Sequence, residues 1–139
     1  MQATYTLLID LPRPLNIPVG KRGDYSFTDG CYAYVGSALN GLENRIARHL
    51  RKDKKLHWHI DYLLQYASLR AYVYAESSDK WECSVARELL RALEPVPGFG
   101  CTDCRCPAHL FFSEGSAVLC EIVLDAFRSL RLAPVEVTC

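Results

Sequence analysis

Tyr34, Arg45, His49 and Glu82 are residue types from which a phosphodiester-cutting site can be assembled, and Tyr5 adds a second phenol. Cutting a phosphodiester requires a group that orients or deprotonates the attacking water and a cation against the equatorial oxygens. It also requires a metal or a proton for the leaving oxygen. Arg45 suits the second task, because its planar guanidinium stays charged and grips two phosphate oxygens at once. A tyrosine packed close to cations is expected to carry a phenol of lowered pKa, the base such a site needs. A carboxylate such as Glu82 can hold one Mg²⁺, which keeps most of its waters. Asp79 and Glu82 have the spacing of a capping box, which would give Glu82 a structural task, and Glu88 competes for the metal.

A second group, Cys101, Cys104, Cys106 and His109, packs three thiols and an imidazole into nine residues. Thiolates with one imidazole are a ligand set for structural zinc, and the first pair has C-x-x-C spacing. Cys104 and Cys106 are two apart, an awkward geometry if all ligands come from the loop, so Cys83, His57 or His59 is an alternative ligand. Reduced buried thiols and a redox pair are the competing interpretations.

Net charge is zero over 139 residues, yet the stretch from Asn44 to His59 holds six Lys and Arg against one Asp. That is +5 locally and −5 for the remainder, a focused field of the kind that attracts a phosphate backbone. Candidate nucleic-acid contacts are Gly36, Ser37, Arg48, Arg51, Lys52, Lys54, Lys55, His57, Trp58 and His59. Trp58 could stack on an unpaired base. A solvated helix face, with the histidines paired to Asp61, explains the same residues without a ligand.

The elements that must position these groups follow from periodicity. Residues 4–11 and 31–35 are predicted strands, the second stopped by Gly36-Ser37. Residues 12–30, with three prolines, form an elaborated connection with room for a short hairpin. Helices are predicted over 42–51, with Leu42, Ile46 and Leu50 as the buried stripe, and over 58–67. In the first of these, Arg45 and His49 point from one adjacent face. A strand at 69–75, a helix at 79–93 with Asp79 as N-cap, a Cys/Gly/Pro-rich loop at 95–110, a strand at 109–112 and a helix at 117–130 complete the chain. Val118, Ile122 and Ala126 are the expected stripe of the last helix.

Ala33-Tyr34-Val35-Gly36-Ser37-Ala38, followed by Arg45 and His49, resembles the second signature and Arg-x-x-x-His pattern of the GIY-YIG nuclease superfamily. Ala3-Thr4-Tyr5 would be the first signature, with Ala and Thr replacing Gly and Ile. More narrowly, YVGSALNGLENRIARHLRKDKKLHWHIDYLL and GFGCTDCRCPAHLFF are similar to stretches of the subfamily called domain of unknown function 123. Its members occur alone or fused to an endonuclease III-like DNA glycosylase. The resemblance implies that Tyr5 is the base or water-orienting group and Tyr34 a second phenol. It implies that Arg45 stabilises the transition-state phosphate, His49 contacts phosphate or relays a proton, and Glu82 binds the metal. Tyr5 and Tyr34 lie 29 residues apart, so 12–30 must loop out as an insertion, and Tyr32 is the alternative phenol.

Half the residues are hydrophobic and 23% are charged, enough for a core and against wholesale disorder. The expected fold is a single α/β domain over 1–139, a small mainly antiparallel three-stranded sheet flanked by helices. No apolar run approaches a membrane span, and Met1-Gln2-Ala3-Thr4-Tyr5 lacks a signal-peptide pattern. With seven cysteines and no such leader, a reducing cytoplasmic location is expected. The expected function is a Mg- or Mn-dependent endonuclease acting on DNA or structured nucleic acid, in DNA repair beside an endonuclease III-like glycosylase. The alternative is a non-catalytic nucleic-acid-binding or repair-partner module with a structural zinc loop.

Overall fold

Every residue from Ala3 to Ile9 is buried, so this segment must be covered on both faces, as a central strand is. A computed structural model describes residues 1–139 and places it as β1 (Ala3–Leu11). β1 pairs antiparallel with β4 (Gly30–Ala38) on one side and β5 (Ser68–Glu76) on the other. The connection between β1 and β4 folds as a hairpin of β2 (Leu15–Pro18) and β3 (Asp24–Phe27), closed by a 3₁₀ turn at Gly20–Arg22.

The sheet has six strands rather than three. β7 (Leu110–Ser113) adds to β4, and the two-residue β6 (Glu94–Pro95) adds to β7. β8 (Val135–Thr138) covers the free side of β5, giving the order β6-β7-β4-β1-β5-β8, antiparallel throughout. These short strands occupy backbone edges that a three-stranded sheet would leave unpaired.

Helices cover both faces. Tyr5, Leu7, Ile9, Tyr32 and Tyr34 pack under α1 (Leu42–Leu50), α2 (His59–Leu64), the β2-β3 hairpin and Phe99. Leu8, Ala33, Val35, Ala71 and Val73 pack under α3 (Glu82–Leu90) and α4 (Ser116–Ser129). None of the helices is long and apolar enough to cross a membrane.

Three helix expectations change. In α1 the buried side chains are Leu42, Ile46 and His49, while Leu50 is half exposed, because His49 finds a polar partner inside and Leu50 turns to solvent. In α4 the buried set is Leu119, Val123, Leu124, Ala126 and Phe127, and Val118 is exposed. The helix expected from Asp79 starts at Glu82. The Trp81 N–H donates to Thr4 Oγ1 of β1 at 3.1 Å, and the Asp79 N–H donates to Ser77 Oγ. No side-chain cap forms at the start of α3, so Glu82 is not employed as a capping-box partner.

Candidate active-site cleft and metal centre

The register of β1 against β4 sets Tyr5 directly opposite Gly36. The phenol ring lies over the glycine so closely that a Cβ there would stand 2.6 Å from the Tyr5 oxygen. Only glycine accepts this approach. The Tyr5 hydroxyl is 2.8 Å from His49 Nε2, and both side chains are buried. Burial pushes the Tyr5 phenol up to about 12, with the Arg45 charge working against it. Burial likewise raises Tyr34, with the neighbouring Tyr5 and Glu82 adding to the effect. The acidified phenol expected from the sequence is therefore absent: desolvation outweighs the nearby guanidinium. Burial also pulls His49 down to about 3, helped by Lys54, so its imidazole is neutral at physiological pH. Its Nδ1 has no hydrogen-bond partner.

Tyr5, Tyr34, Gly36, Ser37, Arg45 and Glu82 line one cleft of about 760 Å³, with His57, Trp58 and His59 on its wall. Arg45 Nη1 donates to the Ser37 carbonyl at 2.9 Å, and its guanidinium lies 4.5 Å from the Trp58 ring centre. Glu82 reaches the cleft from the first turn of α3, whereas Glu88 points elsewhere, accepting a hydrogen bond from Ser129 Oγ of α4 at 2.7 Å. Tyr32 is turned from the cleft, its hydroxyl donating to the Thr28 carbonyl. Lys80 and Asp103 also line the cleft. Sequence reasoning missed both: Lys80 sits in irregular chain with no motif around it, and Asp103 stands between Cys101 and Cys104, where the thiols point to zinc instead.

Much of the basic run is consumed internally. Arg48 grips the buried Asp61 with two bonds of 2.7 and 2.8 Å, and its guanidinium lies 4.4 Å from the Trp58 ring centre. Burial works to raise Asp61, but Arg48 and the backbone N–H groups of His57 and Trp58 hold it down to about 2. Lys54 Nζ is buried beside the same carboxylate at 3.7 Å and donates to the Arg48 carbonyl. Lys52 Nζ donates to the carbonyls of Leu64 and Ala67 at the end of α2. Arg51 and Lys55 stay exposed. His59 Nδ1 accepts the Gly100 N–H at 2.9 Å, tying α2 to the loop before β7. His57 and Asp61 meet through backbone rather than through the imidazole.

Beside the cleft, Cys83, Cys104, Cys106 and His109 bring their ligand atoms within 4.8 Å of one another. This Cys3His group can bind a metal such as zinc. Cys101 is not part of it. The first turn of α3 supplies Cys83 instead, which spares the loop from folding all four ligands around one point. His109 Nε2 lies 3.8 Å from Cys83 Sγ and 3.5 Å from Cys104 Sγ, and its Nδ1 lies 3.7 Å from Glu82 Oε2. All seven cysteines are free.

The family described as "Domain of unknown function DUF123" matches residues 4–132, and the chain belongs to that family. No curated protein and no solved structure matches it significantly.

Proposed function

Taking membership of the DUF123 family as the premise, we propose that the cleft hydrolyses phosphodiesters in DNA or structured nucleic acid, as a Mg- or Mn-dependent endonuclease of the GIY-YIG type. The observation that carries this reading is the convergence of Tyr5, Tyr34, Arg45 and Glu82 on one cleft from two strands and two helices. Arg45 commits one nitrogen to Ser37, leaving its other donors for a phosphate oxygen. Glu82, with Asp103 in the same cleft, offers the hard carboxylate oxygens a Mg²⁺ accepts while retaining its waters. Such an ion, when bound, supplies positive charge against the developing phosphate and leaving oxygen.

Tyr5 keeps its proton at neutral pH, so it orients the attacking water through its oxygen rather than carrying a standing negative charge. Neutral His49 holds that phenol in place from the buried side. The exposed Arg51 and Lys55 are left to meet neighbouring phosphates. A role in repair, beside an endonuclease III-like glycosylase, belongs to the same proposal.

The protonated phenols favour a second reading, a module that binds nucleic acid without cutting it. Incubating the purified chain with supercoiled, linear and branched DNA and with RNA, each with Mg²⁺ or Mn²⁺, separates the two. Cleavage that disappears in Arg45→Ala and Glu82→Ala supports the nuclease. Binding without cleavage of any substrate supports the module.

A further inference from the structure

We propose that Cys83, Cys104, Cys106 and His109 hold one zinc ion as a closed tetrahedral centre, and that Glu82 positions its histidine. A zinc tetrahedron with bonds of about 2.3 Å to sulfur and 2.0 Å to nitrogen has sulfur-to-nitrogen edges of about 3.5 Å and sulfur-to-sulfur edges of about 3.8 Å. The two thiols nearest His109 Nε2 lie at 3.5 and 3.8 Å from it, and no two ligand atoms of the four are more than 4.8 Å apart. Closing on an ion therefore needs only small movements. Three sulfurs and one imidazole select a soft or borderline ion over Mg²⁺ or Ca²⁺. Four protein ligands leave no open position, which marks the centre as structural.

The histidine is 4% exposed in its side chain and has a partner on each nitrogen. Nε2 faces the thiols and Nδ1 faces Glu82, the carboxylate–histidine–metal order that fixes tautomer and ring orientation. The centre joins two pieces of chain, the first turn of α3 and the loop after Gly100, which the Glu82–His109 contact already brings together. Both contribute to the cleft: Glu82 precedes Cys83, and Thr102 and Asp103 precede Cys104. Glu82 thus belongs to the wall shared by the metal centre and the cleft.

Metal analysis of the full chain, purified without chelators, tests this independently of any nuclease activity. Wild type and Cys101→Ser are expected to carry about one zinc per chain, and Cys83→Ser, Cys104→Ser and Cys106→Ser to carry none. Should those serine variants fail to fold, cobalt loaded into wild type is expected to give the intense visible bands of a tetrahedral site with thiolate charge transfer. Glu82→Gln is expected to weaken zinc roughly 10–100-fold in competition with a chromophoric chelator. A wild type that takes up neither zinc nor cobalt overturns the centre, as does zinc kept by Cys83→Ser but lost from Cys101→Ser. Unchanged affinity in Glu82→Gln overturns the positioning role.

Discussion

Tyr5 and His49 form a buried pair in which the phenol keeps its proton and the imidazole refuses one. Three substitutions probe it. Gly36→Ala places a methyl group against the Tyr5 oxygen and is expected to destabilise by about 1–3 kcal/mol, because the ring has to leave its site. A urea midpoint within error of wild type would contradict the close approach. Tyr5→Phe strands His49 Nε2 without a partner, at a cost of about 1–3 kcal/mol, while leaving the core volume nearly unchanged. His49 also predicts a pH dependence. Its folded pKa of about 3 lies below the ordinary 6.5, so the unfolded chain takes up a proton between those values and the folded chain does not. Stability from this residue is complete above pH 6.5, falls as pH drops toward 3 by at most about 1.4 kcal/mol per unit, and levels off below. His59, also lowered by burial, adds to the slope. His49→Gln should flatten the acid limb of stability against pH by close to one proton, and parallel limbs would contradict the assignment.

At the scale of elements, α1 and α2 are stapled by Asp61, whose carboxylate takes Arg48, Lys54 and two backbone N–H groups. Arg48→Met leaves that buried charge short of its main partner and is expected to cost on the order of 3 kcal/mol. Arg51→Ala and Lys55→Ala, at exposed positions, should stay within about 0.5 kcal/mol. Denaturant unfolding of the three variants checks this, and equal losses would contradict it. The strands β1, β4, β5 and β7 and all four helices were legible from composition and periodicity, although α1 and α4 bury other stripes than the ones expected. What was not legible depends on contacts between distant segments. His49 displaces Leu50 from the buried stripe only because Tyr5 waits beneath it. The two-residue β6 carries no local signal, whereas Val135-Glu136-Val137-Thr138 alternates as a strand should and could have been read. In the cleft, residue type, spacing and the family resemblance single out Tyr34 and Arg45, and the resemblance singles out Glu82, with Glu88 as the competing carboxylate. Cys83 is one of three alternative ligands in the sequence; that it, and not His57 or His59, displaces Cys101 is not legible there, because this turns on where α3 begins, and Thr4 of β1 helps set that.

At the scale of the molecule, the sheet divides the chain into two helical layers, and the cleft draws on both. α1 and α2 bring Arg45, Trp58 and His59 from one layer, while α3 brings Glu82 from the other and sets Cys83 beside it in the metal group. Stripping zinc from the folded chain is therefore expected to lower its thermal midpoint and to impair cleavage that added Mg²⁺ alone does not restore; full activity of a zinc-free chain would contradict the shared wall. The most direct test of the nuclease proposal is single-turnover cleavage of linear and branched DNA with Mg²⁺, comparing zinc-loaded wild type with Arg45→Ala and Glu82→Ala at matched stability. The expected result is cutting by wild type and a loss of about 100-fold or more in each variant. Cutting that survives both substitutions, or a wild type that binds every substrate and cuts none, would contradict it.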